Sequence, residues 1–240
     1  MQTSGLILLG TVHSDPSGYA RTRFLLSEIQ PDLVFVELSP YALHYRKEHA
    51  PRLLRELSQN LQHAAHRIGL SFKDALMHPQ VRAIRHQIAL PFEYRASEAY
   101  ASHATGVTIL AVDWSEFSRQ WIETWGELIS AENLESLLRL ERMQIPVHVQ
   151  YDRAARQITS GSPVLDPWTG NDFSPWRSRE EHIAARIRLE LAHRSPRLPI
   201  YIGGWRHLLR GGAFKTLRDI LGITLSRCFL PDRGAIGRDA

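Results

Sequence analysis

Short apolar runs followed by polar residues recur along the chain and predict the strands of a sheet. They occupy residues 6–9, 33–36, 107–112 and 198–202. Apolar runs without alternation are typical of strands covered by helices on both faces, as in a parallel sheet. Because amphipathic segments separate the runs, we predict an α/β fold with a mostly parallel sheet flanked by helices.

One long stretch lacks a convincing strand signal. Between residues 40 and 105, Leu54, Leu57 and Leu61 recur at helical spacing. We therefore predict a helical insertion at about 40–105 within a single domain that spans residues 1–240.

The second half of the chain predicts further helices and one hairpin. Residues 116–143 show the spacing of a helical stretch, and residues 208–221 predict another helix. Gly222 is suited to end the second of these. From residue 145 onward, apolar and polar residues alternate loosely, which predicts a small hairpin. The segment that follows contains Pro, Gly and Trp and predicts a loop. Together they make a predicted hairpin and Trp-rich loop at about 145–177.

Each of the four predicted strands ends in residues that can do chemistry. The first leads into Gly10-Thr11-Val12-His13, the second into Glu37, the third into Asp113 and the fourth into Gly204-Trp205-Arg206-His207. In open parallel sheets, ligands bind at the carboxyl ends of the strands. The two Gly-x-x-His segments occupy equivalent strand-to-helix positions, so we expect a functional site at this edge.

Two imidazoles and a carboxylate are suited to a divalent metal. We predict His13, Glu37 and His207 as ligands of Mn²⁺, Co²⁺ or Zn²⁺, with an open position for water. A helix cap or a hydrogen bond to a backbone carbonyl is the structural alternative for each His.

Composition excludes several classes of protein. The chain has 240 residues and one cysteine, Cys228, which rules out a cysteine-based zinc cluster within the chain. The net charge is +4, but the basic residues are spread without a run, so we expect no nucleic-acid partner. No segment approaches the roughly 20 apolar residues of a membrane span. We expect a cytoplasmic protein without a membrane partner.

Taken together, the motifs resemble the TraB/PrgY family, which is related to the Tiki proteases, the GumN-like proteins and, more distantly, the erythromycin esterase and ChaN proteins. The similar blocks are LLGTVH (8–13), PDLVFVEL (31–38), FEYRASEA (92–99), ILAVDW (109–114), SREEHIAARI (178–187) and IYIGGWRHLLRGG (200–212). They follow the family order over nearly the whole chain. The resemblance implies a ChaN-like or Tiki-like α/β core with a helical insertion, and a metal-dependent hydrolase or peptidase. The resemblance to the erythromycin esterase branch implies a metal-free alternative, in which His13 is a general base and Glu37 orients or assists it. Trp114 and Trp205 depart from the family pattern, and these departures affect the expected substrate pocket more than the core chemistry.

The resemblance also implies roles for residues outside the two motifs. Glu93 is expected to be a further ligand or a proton donor. Arg95, Asp113, Arg179 and Arg206 are expected to bind the substrate, Arg206 as a stabiliser of an oxyanion. For Arg95 and Arg179 a purely structural ion pair is the alternative, and Asp113 is equally suited to orienting a His or capping a helix.

These features predict a hydrolase that cleaves an amide or ester bond in a small peptide or modified metabolite. Its predicted catalytic residues are His13, Glu37, Glu93 and His207. The alternative is a non-catalytic protein that sequesters a small peptide, a haem-like ligand or a metal at the same site. A third possibility is a scaffold, a homo-oligomer with the insertion helices as its interface.

Overall fold

A computed structural model of the chain describes residues 5–141, 145–160, 173–212 and 214–236. The strands in those ranges are β1 (Ile7–Thr11), β2 (Leu33–Val36), β3 (Thr108–Ala111), β4 (Pro199–Gly204), β5 (Cys228–Leu230) and β6 (Gly234–Ala235). The helices are α1 (Gly18–Ile29), α2 (Pro40–Arg67), α3 (Phe72–Leu76), α4 (Pro79–Ile88), α5 (Phe92–Ala101), α6 (Ser115–Glu123), α7 (Trp125–Leu128), α8 (Ala131–Leu138), α9 (Val147–Ser160), α10 (Ser174–Arg194) and α11 (Leu217–Leu221).

The strands form one six-stranded sheet in the order β3-β2-β4-β1-β5-β6. Every pairing is parallel except that of β5 with β6. Leu9 of β1 and Val36 of β2 both pair with Ile202 of β4, so the carboxyl ends of these three strands lie within two residues of one another. The predicted α/β class and mostly parallel sheet are confirmed.

The central strands are buried along their length, as their continuous apolar runs predict. All residues of β1 and β2 are buried. In β1 a Cβ on Gly10 would lie 2.9 Å from the Cα of Trp205. The first glycine of the Gly10–His13 motif is therefore needed for close approach of the turn that follows β4.

The chain divides into two compact units. The sheet unit comprises Met1–Ser39, Phe92–Trp114 and Pro146–Ala240, and the helical unit comprises Pro40–Pro91 and Ser115–Ile145. The insertion is predicted over 40–105, but the first segment of the helical unit ends at Pro91. The predicted end is too late because α5 belongs to the sheet unit. The ring of Phe92 lies where a Cβ on Gly18 would stand, so α5 packs closely on α1.

Within the helical unit, the apolar stripe of α2 forms the core that its spacing predicts, with Leu53, Leu57 and Leu61 buried. The predicted helical stretch over 116–143 is divided into three helices, α6, α7 and α8, and its predicted end is wrong because α8 ends at Leu138. The side chain of Ser130 caps α8 by accepting a hydrogen bond from the backbone of Asn133.

The predicted hairpin is also wrong, because Val147–Ser160 is the helix α9. Tyr151, Ala154 and Ile158 are buried at helical intervals, and this period prevails over the loose alternation of the preceding residues. Residues 161–172 of the predicted Trp-rich loop lie outside the described residues.

The predicted helix over 208–221 is correct only at its end. A 3₁₀ turn covers Trp205–Leu208 and α11 begins at Leu217, behind a capping box of Thr216 and Asp219. Gly222 has the left-handed conformation predicted for a helix end, with a φ of 68°. In the part of the chain that the structure describes, no helix has both the length and the apolar character to cross a membrane.

Candidate active site

The carboxyl edge of the sheet unit gathers the predicted chemistry. The strand order places the residues that follow β3, β2, β4 and β1 side by side. These are Asp113, Glu37, the Gly204–His207 motif and His13, in that order along the edge. Residues far apart in the chain therefore meet because the strands that carry them are neighbours.

The loop that carries His13 is fixed by a buried carboxylate. Asp15 is 3% exposed and accepts hydrogen bonds from the backbone of Ser17 at 2.8 Å and from the hydroxyl of Tyr151 at 3.1 Å. The Tyr151 oxygen in turn accepts a hydrogen bond from the backbone N–H of Val12. Helix α9 thus contributes to the position of His13.

His13 is paired with a carboxylate on each side of its ring. Nδ1 lies 2.8 Å from Oε1 of Glu93, and Nε2 lies 3.6 Å from Oε2 of Glu37. Glu93 is buried and also accepts a hydrogen bond from the Thr11 hydroxyl at 2.7 Å. The imidazole keeps 60% of its side-chain surface exposed. Desolvation lowers the pKa of His13, but the charge and hydrogen bond of Glu93, with the charge of Glu37, outweigh it and raise the pKa to about 9.

His207 repeats this arrangement in a buried position. Nε2 lies 3.1 Å from Oε1 of Glu37, and Nδ1 lies 2.6 Å from Oε1 of Glu180. Burial disfavours the charged imidazole, yet the charges of Glu180 and Glu37 raise the pKa of His207 to about 10. Glu180 also accepts a 2.5 Å hydrogen bond from the backbone of Leu217.

Glu37 lies at the centre of the network. Arg179 donates to its Oε1 at 2.5 Å, and the backbone N–H of Gly204 donates to its Oε2 at 2.5 Å. Arg179 also holds Asp113 in a bidentate pair at 2.8 and 2.6 Å. Burial opposes ionisation of Glu37, but the positive charges of His207 and Arg179 hold its pKa well below the ordinary value.

The glycines that end β4 are required by the side chains around them. A Cβ on Gly204 would lie 2.9 Å from Nε2 of His13, and one on Gly203 would lie 2.5 Å from the Tyr201 hydroxyl and 2.8 Å from Oε2 of Glu37. The absence of a side chain at both positions is what allows the imidazole and the carboxylate to approach each other.

The network includes residues that sequence reasoning did not place in the site. Glu180 and its neighbour Arg179 both match the SREEHIAARI block, with a structural salt bridge as the alternative, but only Arg179 is among the predicted site residues. Thr11 precedes the predicted His13, and Tyr201 lies inside a strand that was predicted only as core. The hydroxyl of Tyr201 is buried and has no hydrogen-bond partner among the described residues, and the ring lies edge-on to His207.

The structure brings most of the predicted site residues together but separates Arg95 from them. Arg95 is exposed, lies over the ring of Tyr19, and is not among the described residues that line the cavity beside His13. Asp113 holds Arg179 in the bidentate pair and accepts a hydrogen bond from the backbone N–H of Trp114 at 2.7 Å. Arg206 is exposed and lines the cavity.

That cavity has a volume of about 550 Å³ and lies wholly within the sheet unit. Its charged side is formed by His13, Glu37, Arg179 and His207. Cavities of this size are typical of small-molecule sites. The exposed face of the His13 ring therefore has room for a ligand.

The predicted metal ligands face one another, but not as a coordination sphere. Among the described residues, no three His, Cys, Asp or Glu side chains are arranged to hold a metal ion. The guanidinium of Arg179 contacts Glu37 directly, and a cation at that position repels a second one. As arranged, the residues form an ion network, and the metal remains a prediction.

Comparisons with protein-family models, curated proteins and solved structures found no significant match. The resemblance to the TraB/PrgY family therefore stays a prediction that depends on the motifs themselves.

Proposed function

We propose that the chain is a hydrolase that cleaves an amide or ester bond in a small peptide or modified metabolite. One observation carries the proposal: two imidazoles, each with a carboxylate beside Nδ1, turn Nε2 toward the single carboxylate of Glu37. Of the two, His13 is the one whose ring opens to the cavity. It is therefore the group positioned to exchange a proton with a bound substrate.

In this proposal His13 and Glu93 act as a dyad. The buried carboxylate orients the ring and stabilises its charged form, as carboxylates do in hydrolytic triads. Neutral His13 takes a proton from water as the water oxygen attacks the carbonyl carbon. It then returns the proton to the leaving amine or alcohol, which leaves a carboxylic acid as the second product.

The pKa of about 9 gives this step a distinct pH dependence. At pH 7 about 1% of His13 is neutral, so the rate is expected to rise about tenfold per pH unit and to level off near pH 9. A reaction in which the protonated form of His13 is required would instead slow above that pH.

Glu37, His207 and Arg179 have a positioning role in the proposal. Among the described residues, the hydrogen bonds and ion pairs to Glu37 come from cationic or N–H donors, and its pKa is held low, so it is a weak base. It is better suited to holding the charged His13 and to accepting a hydrogen bond from the attacking water. His207 and Arg179 keep Glu37 ionised.

The test uses p-nitrophenyl acetate and alanine p-nitroanilide as ester and amide probes between pH 6 and 10. Turnover should fall at least about 100-fold in His13→Gln, as expected when a general base is removed. The matched control is His63→Gln, which changes an exposed histidine of the helical unit. Equal turnover in wild type and His13→Gln would overturn the proposed role of His13, and no turnover of either probe would count against a hydrolase.

Metal dependence is a separate prediction. The same assays are run after chelation and after addition of Mn²⁺, Co²⁺ or Zn²⁺, with metal analysis of the purified protein. If His13→Ala and His207→Ala both retain the full metal content of the wild type, the predicted ligand set is wrong.

A second candidate is a binding protein without turnover. It is favoured by the charged state of His13 at neutral pH and by the full engagement of Glu37, which leave no strong base in the described network at pH 7. Such a protein would sequester a small peptide, a haem-like ligand or a metal. Saturable binding without cleavage at any pH supports this candidate.

A further inference from the structure

The cavity beside His13 has an aromatic wall that the hydrolytic chemistry does not use. Phe173, Trp176, Trp205 and Phe214 line it, and all four are half-buried. The rings of Phe173 and Phe214 lie 5.8 Å apart. An apolar group of a ligand that covers such rings removes apolar surface from water, and this stabilises the complex. We call these four residues the aromatic wall.

The aromatic wall meets the charged edge of the sheet at Trp176. The guanidinium of Arg179 lies 5.7 Å from the centre of the Trp176 ring, and the same guanidinium contacts Glu37. A molecule that places an apolar group on the wall therefore has its adjacent atoms close to Glu37 and His13. A ligand that fits this geometry carries its apolar group directly next to the reacting bond.

The outer part of the cavity is cationic. Arg206 and Arg210 are exposed and line it, although Arg210 is paired with Asp219 at 3.7 Å and also donates to the carbonyl of Ile223. The carboxylates among the described lining residues, Glu37 and Glu180, are both engaged with internal cations. A ligand carboxylate therefore meets positive charge at the rim without an opposing free carboxylate.

We infer that the cavity takes a small N-acylated amino acid, with an aromatic or alkyl acyl group on the aromatic wall and its carboxylate toward Arg206. That the amide of this ligand is cleaved rests on the proposed hydrolase function. The predicted binding of the ligand does not depend on turnover. The volume of about 550 Å³ suits a ligand of this size.

The test compares the affinities of three probes by calorimetry: N-benzoylglycine, N-acetylglycine and N-benzoylglycinamide. Burial of a phenyl ring should make N-benzoylglycine bind at least about tenfold more tightly than N-acetylglycine. Loss of the carboxylate in the glycinamide should weaken binding about fivefold or more.

Two variants address the two ends of the ligand. Phe214→Ala should remove most of the preference for benzoyl over acetyl, and Arg206→Gln should remove the preference for the carboxylate. The controls are Trp121→Ala and Arg85→Gln, which change exposed residues of the helical unit. Thermal melts check that each variant folds, and Phe173→Ala replaces Phe214→Ala should the latter fail to fold.

Release of glycine from N-benzoylglycine and N-acetylglycine, and of glycinamide from N-benzoylglycinamide, separates this inference from the proposed function. Preferential binding of N-benzoylglycine without release supports the inference and overturns the hydrolase. Release without preference for the benzoyl group overturns the inference and leaves the hydrolase in place. Equal affinities for the benzoyl and acetyl probes, or a Phe214→Ala variant that keeps the preference, would also overturn the inference.

Discussion

The buried His207 should make the stability of the protein fall with rising pH. In the unfolded chain this imidazole has the ordinary pKa of 6.5, and in the folded protein the pKa is about 10. Below pH 6.5 both states carry the proton, so the stabilisation by Glu37 and Glu180 is fully present. Between the two pKa values the folded state binds one more proton than the unfolded state, so the free energy of unfolding decreases as pH rises.

The size of the effect follows from the same two values. One proton corresponds to about 1.4 kcal/mol per pH unit, and the full contribution is about 5 kcal/mol. Between pH 6.5 and 8.5 the expected loss is about 2 kcal/mol, before the cysteine and tyrosines of the unfolded chain titrate. His13 acts in the same direction, but its exposed ring is screened by solvent and adds less. The lowered pKa of Glu37 affects stability only at acidic pH.

Urea unfolding at pH 6.5, 7.5 and 8.5, followed by tryptophan fluorescence, measures the loss. His207→Gln removes the titrating group, so its unfolding free energy should change with pH by about 2 kcal/mol less than that of the wild type. The control is His66→Gln, at an exposed position of α2. An NMR titration of the His207 ring should give a midpoint near 10. Equal pH slopes for wild type and His207→Gln would refute the reasoning.

Three further predictions concern the groups around the site. Arg179→Met removes the counter-ion of the buried Asp113 and one of the cations around Glu37, and should lower the free energy of urea unfolding by about 3 kcal/mol or more, whereas Arg139→Met, at an exposed pair, should change it by less than about 1 kcal/mol. Gly203→Ala should lower the melting temperature and turnover because its Cβ enters occupied space, while Gly126→Ala meets nothing within 4 Å and should not; equal melting temperatures would contradict this. Tyr151→Phe removes a buried hydroxyl with two partners and should cost about 1–3 kcal/mol of stability in the same unfolding assay, and an unchanged midpoint would show that these bonds contribute nothing.

Local patterns determined the sheet and the position of the site edge. The apolar run over 33–36 coincides with β2, and the polar residues that follow the strands lie at the carboxyl edge. These features could be predicted because a buried parallel strand needs a continuous apolar run, which is a property of adjacent residues. His13, Glu37 and His207 meet for the same reason, since each lies within three residues of the end of such a strand.

Only the tertiary structure decided which charges are paired. Arg179 was predicted to bind substrate, yet its guanidinium is held by Glu37 and Asp113, which lie on two other segments of the chain. Likewise, Glu180 is the partner of His207 because α10 packs beside the turn after β4. Such pairings depend on distances between segments far apart in sequence, and no local period encodes them.

The same distinction explains the helices that were mispredicted. In the segment 147–160, apolar and polar residues alternate weakly, but apolar residues also recur at helical spacing. The segment is a helix because this conformation buries Tyr151, Ala154 and Ile158 against the core. The sequence by itself determined which residues prefer to be buried and where the strands end. The tertiary structure decided the partners, because the free energy of burying an apolar stripe or pairing a charge depends on the surface that it meets.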